Sequence, residues 1–161
     1  MATLSNLVLD GTLIRVTVPL RRDQFHDRKL YAFPECLEWM RTEVPKMKTG
    51  RINSATSPRD QLALRLRGWM AGEEMVESEM FRHMRPLQDD VIEMKTDDLR
   101  LFGWLCQPAT FVVVCGGYAD DYKEPTITKL YQDDVTVVVD ARNALPLDGD
   151  KISRTNFNDI I

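Results

Sequence analysis

The residues best suited to chemistry in this chain follow a glycine pair. After Gly116-Gly117 come Tyr118, Asp120, Asp121, Tyr122 and Lys123, so phenol hydroxyls, carboxylates and an ammonium group leave one strand end together. Glycine at such a point lets the chain depart from a sheet where a side chain would clash. Arg100 lies on the preceding apolar run, before a break at Gln107-Pro108-Ala109. An arginine on one face of a half-exposed strand either contacts a phosphate or pairs with a nearby acid. With Asp97, Asp98, Asp120 and Asp121 as partners, the ion pair is the favoured expectation.

Other chemistry is weaker in the sequence. Four Asp-Asp doublets, beginning at Asp89, Asp97, Asp120 and Asp133, carry hard oxygen ligands of the kind magnesium or calcium takes. On a strand, neighbouring side chains point to opposite faces, so a doublet there offers one ligand. Loop capping and solubility account for them better, and no metal is expected. The three cysteines, Cys36, Cys106 and Cys115, form no Cys-x-x-Cys pair, and His26 and His83 are far apart, so zinc-ligand spacing is missing. Reduced, buried thiols are expected, and no cofactor. His83 is expected to complement the dipole at the end of a helix rather than to act as a base.

Charge narrows the partners. A net charge of −4 lacks the basic surplus usual in proteins that live on phosphate backbones. Local basic groups occur at Arg21-Arg22 with Arg28-Lys29, at Lys46-Lys48-Arg51 and at Arg59-Arg65-Arg67, each expected first as solvated surface. With 43% hydrophobic and 29% charged residues the composition is that of an ordinary globular protein, and no apolar run approaches the roughly 20 residues of a membrane span. The start, MATLSNLVLDGT, has neither the basic opening nor the apolar stretch of a secretory signal, so a cytoplasmic location is expected. At 161 residues one domain is expected, with its core over about 13–140 and a polar tail over 147–161.

The elements that must position these residues follow from periodicity. Residues 13–20 alternate as a first strand. Pro34 opens a helix that Pro45 ends, and the polar stretch 46–55 is a loop. Ser57 as cap, Pro58 at the first turn and Asp60 beside the N-terminal dipole begin a second helical region over 58–85, as one helix or two, closed by Pro86. Trp39, Trp69, Met70, Met75, Met80 and Met84 are expected in the core. Strands are expected at 91–94, 99–105 and 111–114, the last apolar enough to be covered on both faces, with more strand over 127–131 and 135–140. The segment FHDRKLYAF shows no clear period. The order predicts an α+β fold in which two helices from the N-terminal half pack on one face of a mainly antiparallel sheet.

This order, with LRLFGWL answered by FVVVCGGYADDYKEP, resembles the RelE/ParE toxin superfamily, in particular its HigB-like branch, over roughly Leu13 to Asp140. Arg100, Phe102 and Trp104 match that branch's arginine strand, and Phe111 to Gly117 its apolar partner strand. The resemblance implies a ribosome-dependent, metal-independent endoribonuclease that cuts mRNA and is held in check by an antitoxin. In that scheme Arg100, Tyr118, Tyr122 and Lys123 are catalytic, supplying cations, a stacking ring and a proton-transfer hydroxyl, while Lys95, Arg59 and Arg65 bind RNA. The chain departs from the branch where its basic residues would stand. Over 91–98, just ahead of Arg100, Lys95 is the one lysine, and the loop turns acidic at Asp120-Asp121, which raises the barrier beside a scissile phosphate. The alternative is a non-catalytic interaction module that uses Asp120 and Asp121 to bind a basic partner.

Overall fold

A computed structural model describes residues 2–125 and 127–154. The fold is α+β, built on a six-stranded sheet in the order β1-β2-β6-β5-β4-β3. The strands are β1 (Ile14–Val16), β2 (Lys29–Ala32), β3 (Phe81–His83), β4 (Ile92–Lys95), β5 (Leu99–Gln107) and β6 (Thr110–Tyr118). Only β2 and β6 run parallel; every other neighbouring pair is antiparallel. The central hairpin forms where expected, turning at Pro108-Ala109 with Ala109 in the left-handed region (φ 56°). Its strands are covered on both sides, as the run Phe111–Val114 predicts, with Phe111, Val112 and Val113 fully buried.

Among the described residues four α-helices cover the sheet: α1 (Leu4–Leu9), α2 (Pro34–Thr42), α3 (Pro58–Met70) and α4 (Tyr131–Ala144). Alternation sorts the core into two layers. Leu99, Leu101, Phe111 and Val113 meet Cys36, Leu37 and Met40 of α2 and Leu62, Leu66 and Trp69 of α3. Phe102, Trp104, Val112 and Val114 meet Leu7 of α1 and Val135 and Val138 of α4. The two helices expected from the N-terminal half, α2 and α3, share one face as expected, and α1 and α4 cover the other. The strand expected over 135–140 is corrected, because these residues lie in α4. Val135, Val138 and Arg142 recur at spacings of three and four and are buried, so the valine-rich run is one helix stripe, and packing overrides β-propensity. Residues 127–130 are not in a strand either.

Three further expectations change. The first strand is shorter than 13–20, although Val18 and Leu20 still pack on the core. The unassigned FHDRKLYAF contains β2, whose Leu30, Tyr31 and Ala32 are buried against β6. The helical region over 58–85 is one helix that ends at Met70, because Ala71 caps it and Gly72 turns left-handed (φ +75°). The chain then reaches β3, which places His83 exposed on an edge strand with no helix dipole to complement. Ser57 caps α3 as expected, accepting from the Asp60 amide. Trp69, Met70, Met75 and Met84 are buried, and Trp39 and Met80 pack against the core. The cysteines are free, two of them buried. Tail residues 155–161 lie outside the described residues; before them, the Lys151 carbonyl accepts from Trp104 Nε1 (2.7 Å) and the Ser153 amide donates to the Leu105 carbonyl (2.8 Å). Among the described residues no helix is long and apolar enough to cross a membrane.

Candidate functional site

Strand register brings Arg100, Lys95 and Tyr122 to one face of the sheet and places the Tyr118 side chain, expected beside them, on the other face with Leu99. Arg100 pairs with Lys95 on one side and Gly117 on the other, and Leu99 pairs with Tyr118. Gly117 is required here, since a Cβ at that position would stand 2.3 Å from the Tyr122 hydroxyl. Gly116 makes the matching space on the opposite face, where a Cβ would strike the Trp39 ring at 2.5 Å. A short 3₁₀ turn over Ala119–Tyr122 folds Tyr122 back beneath the sheet, where it is buried. The α4 face of β3, β4 and β5 therefore carries Arg82, Glu93, Lys95 and Arg100 next to Tyr122.

Arg100 is 4% exposed and Glu93 0%. Arg100 Nε lies 3.1 Å from Glu93 Oε1, and its Nη1 donates to the Thr96 and Leu99 carbonyls at 2.6 and 2.8 Å. The favoured ion pair is present, but its acid is Glu93 and none of the four aspartates. Asp98 and Asp120 serve backbone amides and Gln61 instead, whereas β4 aims Glu93 into the same face as Arg100. Arg82 bonds the second Glu93 oxygen and lies 4.5 Å over the Tyr131 ring, which stacks on Tyr122 at 4.6 Å.

The Tyr122 hydroxyl donates to Asp134 Oδ2 at 2.8 Å, and Cys115 Sγ donates to the other Asp134 oxygen at 3.5 Å. Burial, then the Asp134 hydrogen bond and charge, push the Tyr122 pKa far above a free phenol's; burial and Asp134 hold the Cys115 thiol up as well. Lys129 Nζ completes the group, 4.0 Å from Asp134 Oδ1 and 3.2 Å from the Gly116 carbonyl. Lys95 donates to the Ser78 carbonyl at 2.7 Å, and its pKa is lowered by burial first and then by Arg100, with Arg82 and Lys123 adding to the repulsion.

The loop expected over 46–55 crosses the 118–125 segment. Gly50 N–H donates to Asp98 Oδ1 (2.8 Å), and Arg51 N–H donates to Asp120 Oδ2 (3.0 Å). The Arg51 guanidinium reaches the Glu124 and Lys123 carbonyls, and the Tyr118 hydroxyl donates to the Lys48 carbonyl at 3.2 Å. Asp98 is fixed from behind by Gln61 Nε2 at 2.7 Å. Asp120 is thus tied inside the molecule, while Asp121 is half-buried and Glu124 exposed.

Arg59 and Arg65 are on α3, which packs on the other face of the sheet from the Arg100 side chain. Arg59 is exposed on the first turn, and Arg65 Nε donates to the Lys95 carbonyl at 2.7 Å. Two groups proposed to share an RNA path are therefore separated by the sheet. Among the described residues no three His, Cys, Asp or Glu side chains gather as a metal site. Glu93, Arg82, Tyr131 and Lys129 were not singled out in sequence, and Asp134 entered only as one of the Asp-Asp doublets. Glu93 did carry a signal, an acid between the apolar Ile92 and Met94. Comparison with family models, with curated proteins and with solved structures finds no match to this chain.

Proposed function

We propose that this chain is a non-catalytic interaction protein on a scaffold that resembles the RelE/HigB toxins. The observation that carries this is the state of Arg100: 4% exposed, with Glu93 at 3.1 Å, its charge is neutralised inside the protein. Phosphoryl-transfer chemistry needs accessible cations and a group that moves a proton near neutral pH. Tyr122 is committed to Asp134 and Tyr118 to a backbone carbonyl, and both have raised pKa values, Tyr118 by burial first and then by Asp120. Lys95 and Lys123 remain as cations, without an acid–base partner among the described residues. The partner surface is the acidic turn, narrowed to Asp121 and Glu124 because Asp120 already accepts the Arg51 amide.

A second reading has its own support. Arg82, Lys95, Arg100 and Lys123 crowd near one carboxylate, Glu93, beside a stacked tyrosine pair, which suits an RNA-cleaving toxin with an antitoxin, the ribosome and mRNA as partners. Induced expression separates the two. The non-catalytic protein leaves growth unchanged and ribosome-bound message intact, for the wild type and for Arg100→Ala alike. Growth arrest with cleaved message in the wild type, lost in Arg100→Ala, would overturn it. Capture of a partner by the wild type and by Asp121→Lys/Glu124→Lys with equal yield would remove the acidic turn as the contact.

A further inference from the structure

On the face away from Arg100, a groove of about 370 Å³ runs along α3 and is lined by Arg21, Arg65 and Arg67 together with Leu64, Glu73 and Asp97. That volume falls within the range of small-molecule sites. Two of its arginines are fixed by their inner nitrogens. Arg65 Nε donates to the Lys95 carbonyl (2.7 Å) and Arg67 Nε to the Pro19 carbonyl (3.2 Å). A backbone carbonyl orients a guanidinium without cancelling its charge. The terminal Nη atoms of both make no hydrogen bond among the described residues. Arg21 sits against Glu73, Nη2 to Oε1 3.8 Å, at the groove's edge.

We propose that this groove binds a phosphomonoester of mononucleotide size. Oriented guanidinium forks match the oxygens of a phosphate dianion in bidentate fashion. Leu64 is 55% exposed on the groove wall and gives an apolar contact for a flat ring. Glu73 and Asp97 accept from the exocyclic N–H groups of a base, and for the same reason they oppose a continuous polyanion. A single terminal phosphate on a small nitrogenous body satisfies both conditions, and a phosphodiester chain does not. This site is separate from the proposed partner surface and stands or falls without it.

Isothermal titration of the full chain tests the site. The probes are the four 5′-nucleoside monophosphates, inorganic phosphate and a 12-nucleotide RNA lacking a terminal phosphate. One or more monophosphates should bind with Kd at or below ~1 mM, weakened at least about tenfold in Arg65→Gln/Arg67→Gln, as expected for loss of charge-assisted hydrogen bonds. Leu64→Glu, at an exposed position that leaves both tethers in place, should abolish binding with an unchanged melting curve. Three results would overturn the site: no monophosphate binding at roughly 10 mM ligand, equal binding by wild type and both variants, or RNA or inorganic phosphate binding as tightly as every nucleotide.

Discussion

Arginines stand on both faces of this sheet, and what they touch sets them apart. Arg100 and Arg65 each give donors to backbone carbonyls near the β4–β5 turn, Arg100 to Thr96 and Leu99, Arg65 to Lys95. Arg100 also has Glu93 within 3.1 Å, in a space closed to water on both residues. Arg65 has the exposed Asp97 in its groove, whose charge partly offsets the lowering of its pKa by burial. A carbonyl tether holds a cation in place and leaves its field intact, whereas a buried carboxylate consumes it. The same residue type is therefore buried in an ion pair on one face and tethered with its terminal nitrogens open to a groove on the other.

The comparison breaks most sharply at Glu93. Glu93→Gln leaves Arg100, and to a lesser degree Arg82, without their counter-charge, and removing one member of a buried pair costs about 3–5 kcal/mol. Urea denaturation should show that loss. Replacing both partners, Glu93→Leu with Arg100→Met, should recover most of it, since an apolar pair of similar volume is often as stable. On the groove side, Asp97→Asn should shift stability by less than about 1 kcal/mol, because that carboxylate faces solvent. Equal losses on the two faces would show that Arg100 is no more embedded than Arg65.

Sequence made one face far more legible than the other. Ser57-Pro58-Arg59-Asp60 encodes the start of α3 by local chemistry alone, and the hairpin follows from two apolar runs around a turn. Gly117 opposite Arg100 was implied by the glycine pair, so the meeting of Arg100 and Tyr122 could be anticipated, whereas the alternation of β6 sends Tyr118 to the other face. The partner of Arg100 could not, because Glu93 meets it only through the β4–β5 register, a long-range fact. α4 was hidden for a related reason. Val135 and Val138 favour strand in isolation and become a helix stripe only once Phe102, Trp104 and Val112 offer a surface to bury them. The groove on α3 depends on how side chains bend toward the Pro19 and Lys95 carbonyls, and residue type does not determine that.

Tyr122 sharpens the contrast within the buried face. Tyr122→Phe removes the donor to Asp134, whose carboxylate is almost wholly buried, and should cost about 1–3 kcal/mol by thermal or chemical denaturation. The pH dependence has a definite sign. The folded-state pKa of Tyr122 is raised, so the contribution of the neutral phenol is complete below the unfolded value of about 10 and declines as pH rises above it. Wild type should lose stability on going from neutral pH to above roughly pH 10 more steeply than Tyr122→Phe. Parallel curves would mean that Tyr122 ionises freely and that the Asp134 contact is not formed in solution.

The smallest effect is expected at the crossing of the two loops, where exposed and buried bonds can be told apart within one contact. Arg51→Ala keeps the backbone amide that donates to Asp120 and removes the guanidinium that reaches the Glu124 and Lys123 carbonyls. Its side chain is 41% exposed, so global stability should fall by no more than about 1 kcal/mol. Local opening is the sensitive measure. Two amides report on it: Ala119 N–H, bonded to the Asp98 carbonyl at 2.7 Å, and Lys123 N–H, bonded to the Asp120 carbonyl at 3.2 Å. Hydrogen exchange should speed up at Lys123 and stay unchanged at Ala119, because Asp98 is fixed by Gln61 independently of Arg51. Asp120→Ala, which also removes the acceptor of the Arg51 amide, should accelerate Lys123 further. If Ala119 opens together with Lys123 in Arg51→Ala, the turn is a single cooperative unit and its acidic residues are held by the loop crossing rather than by the sheet.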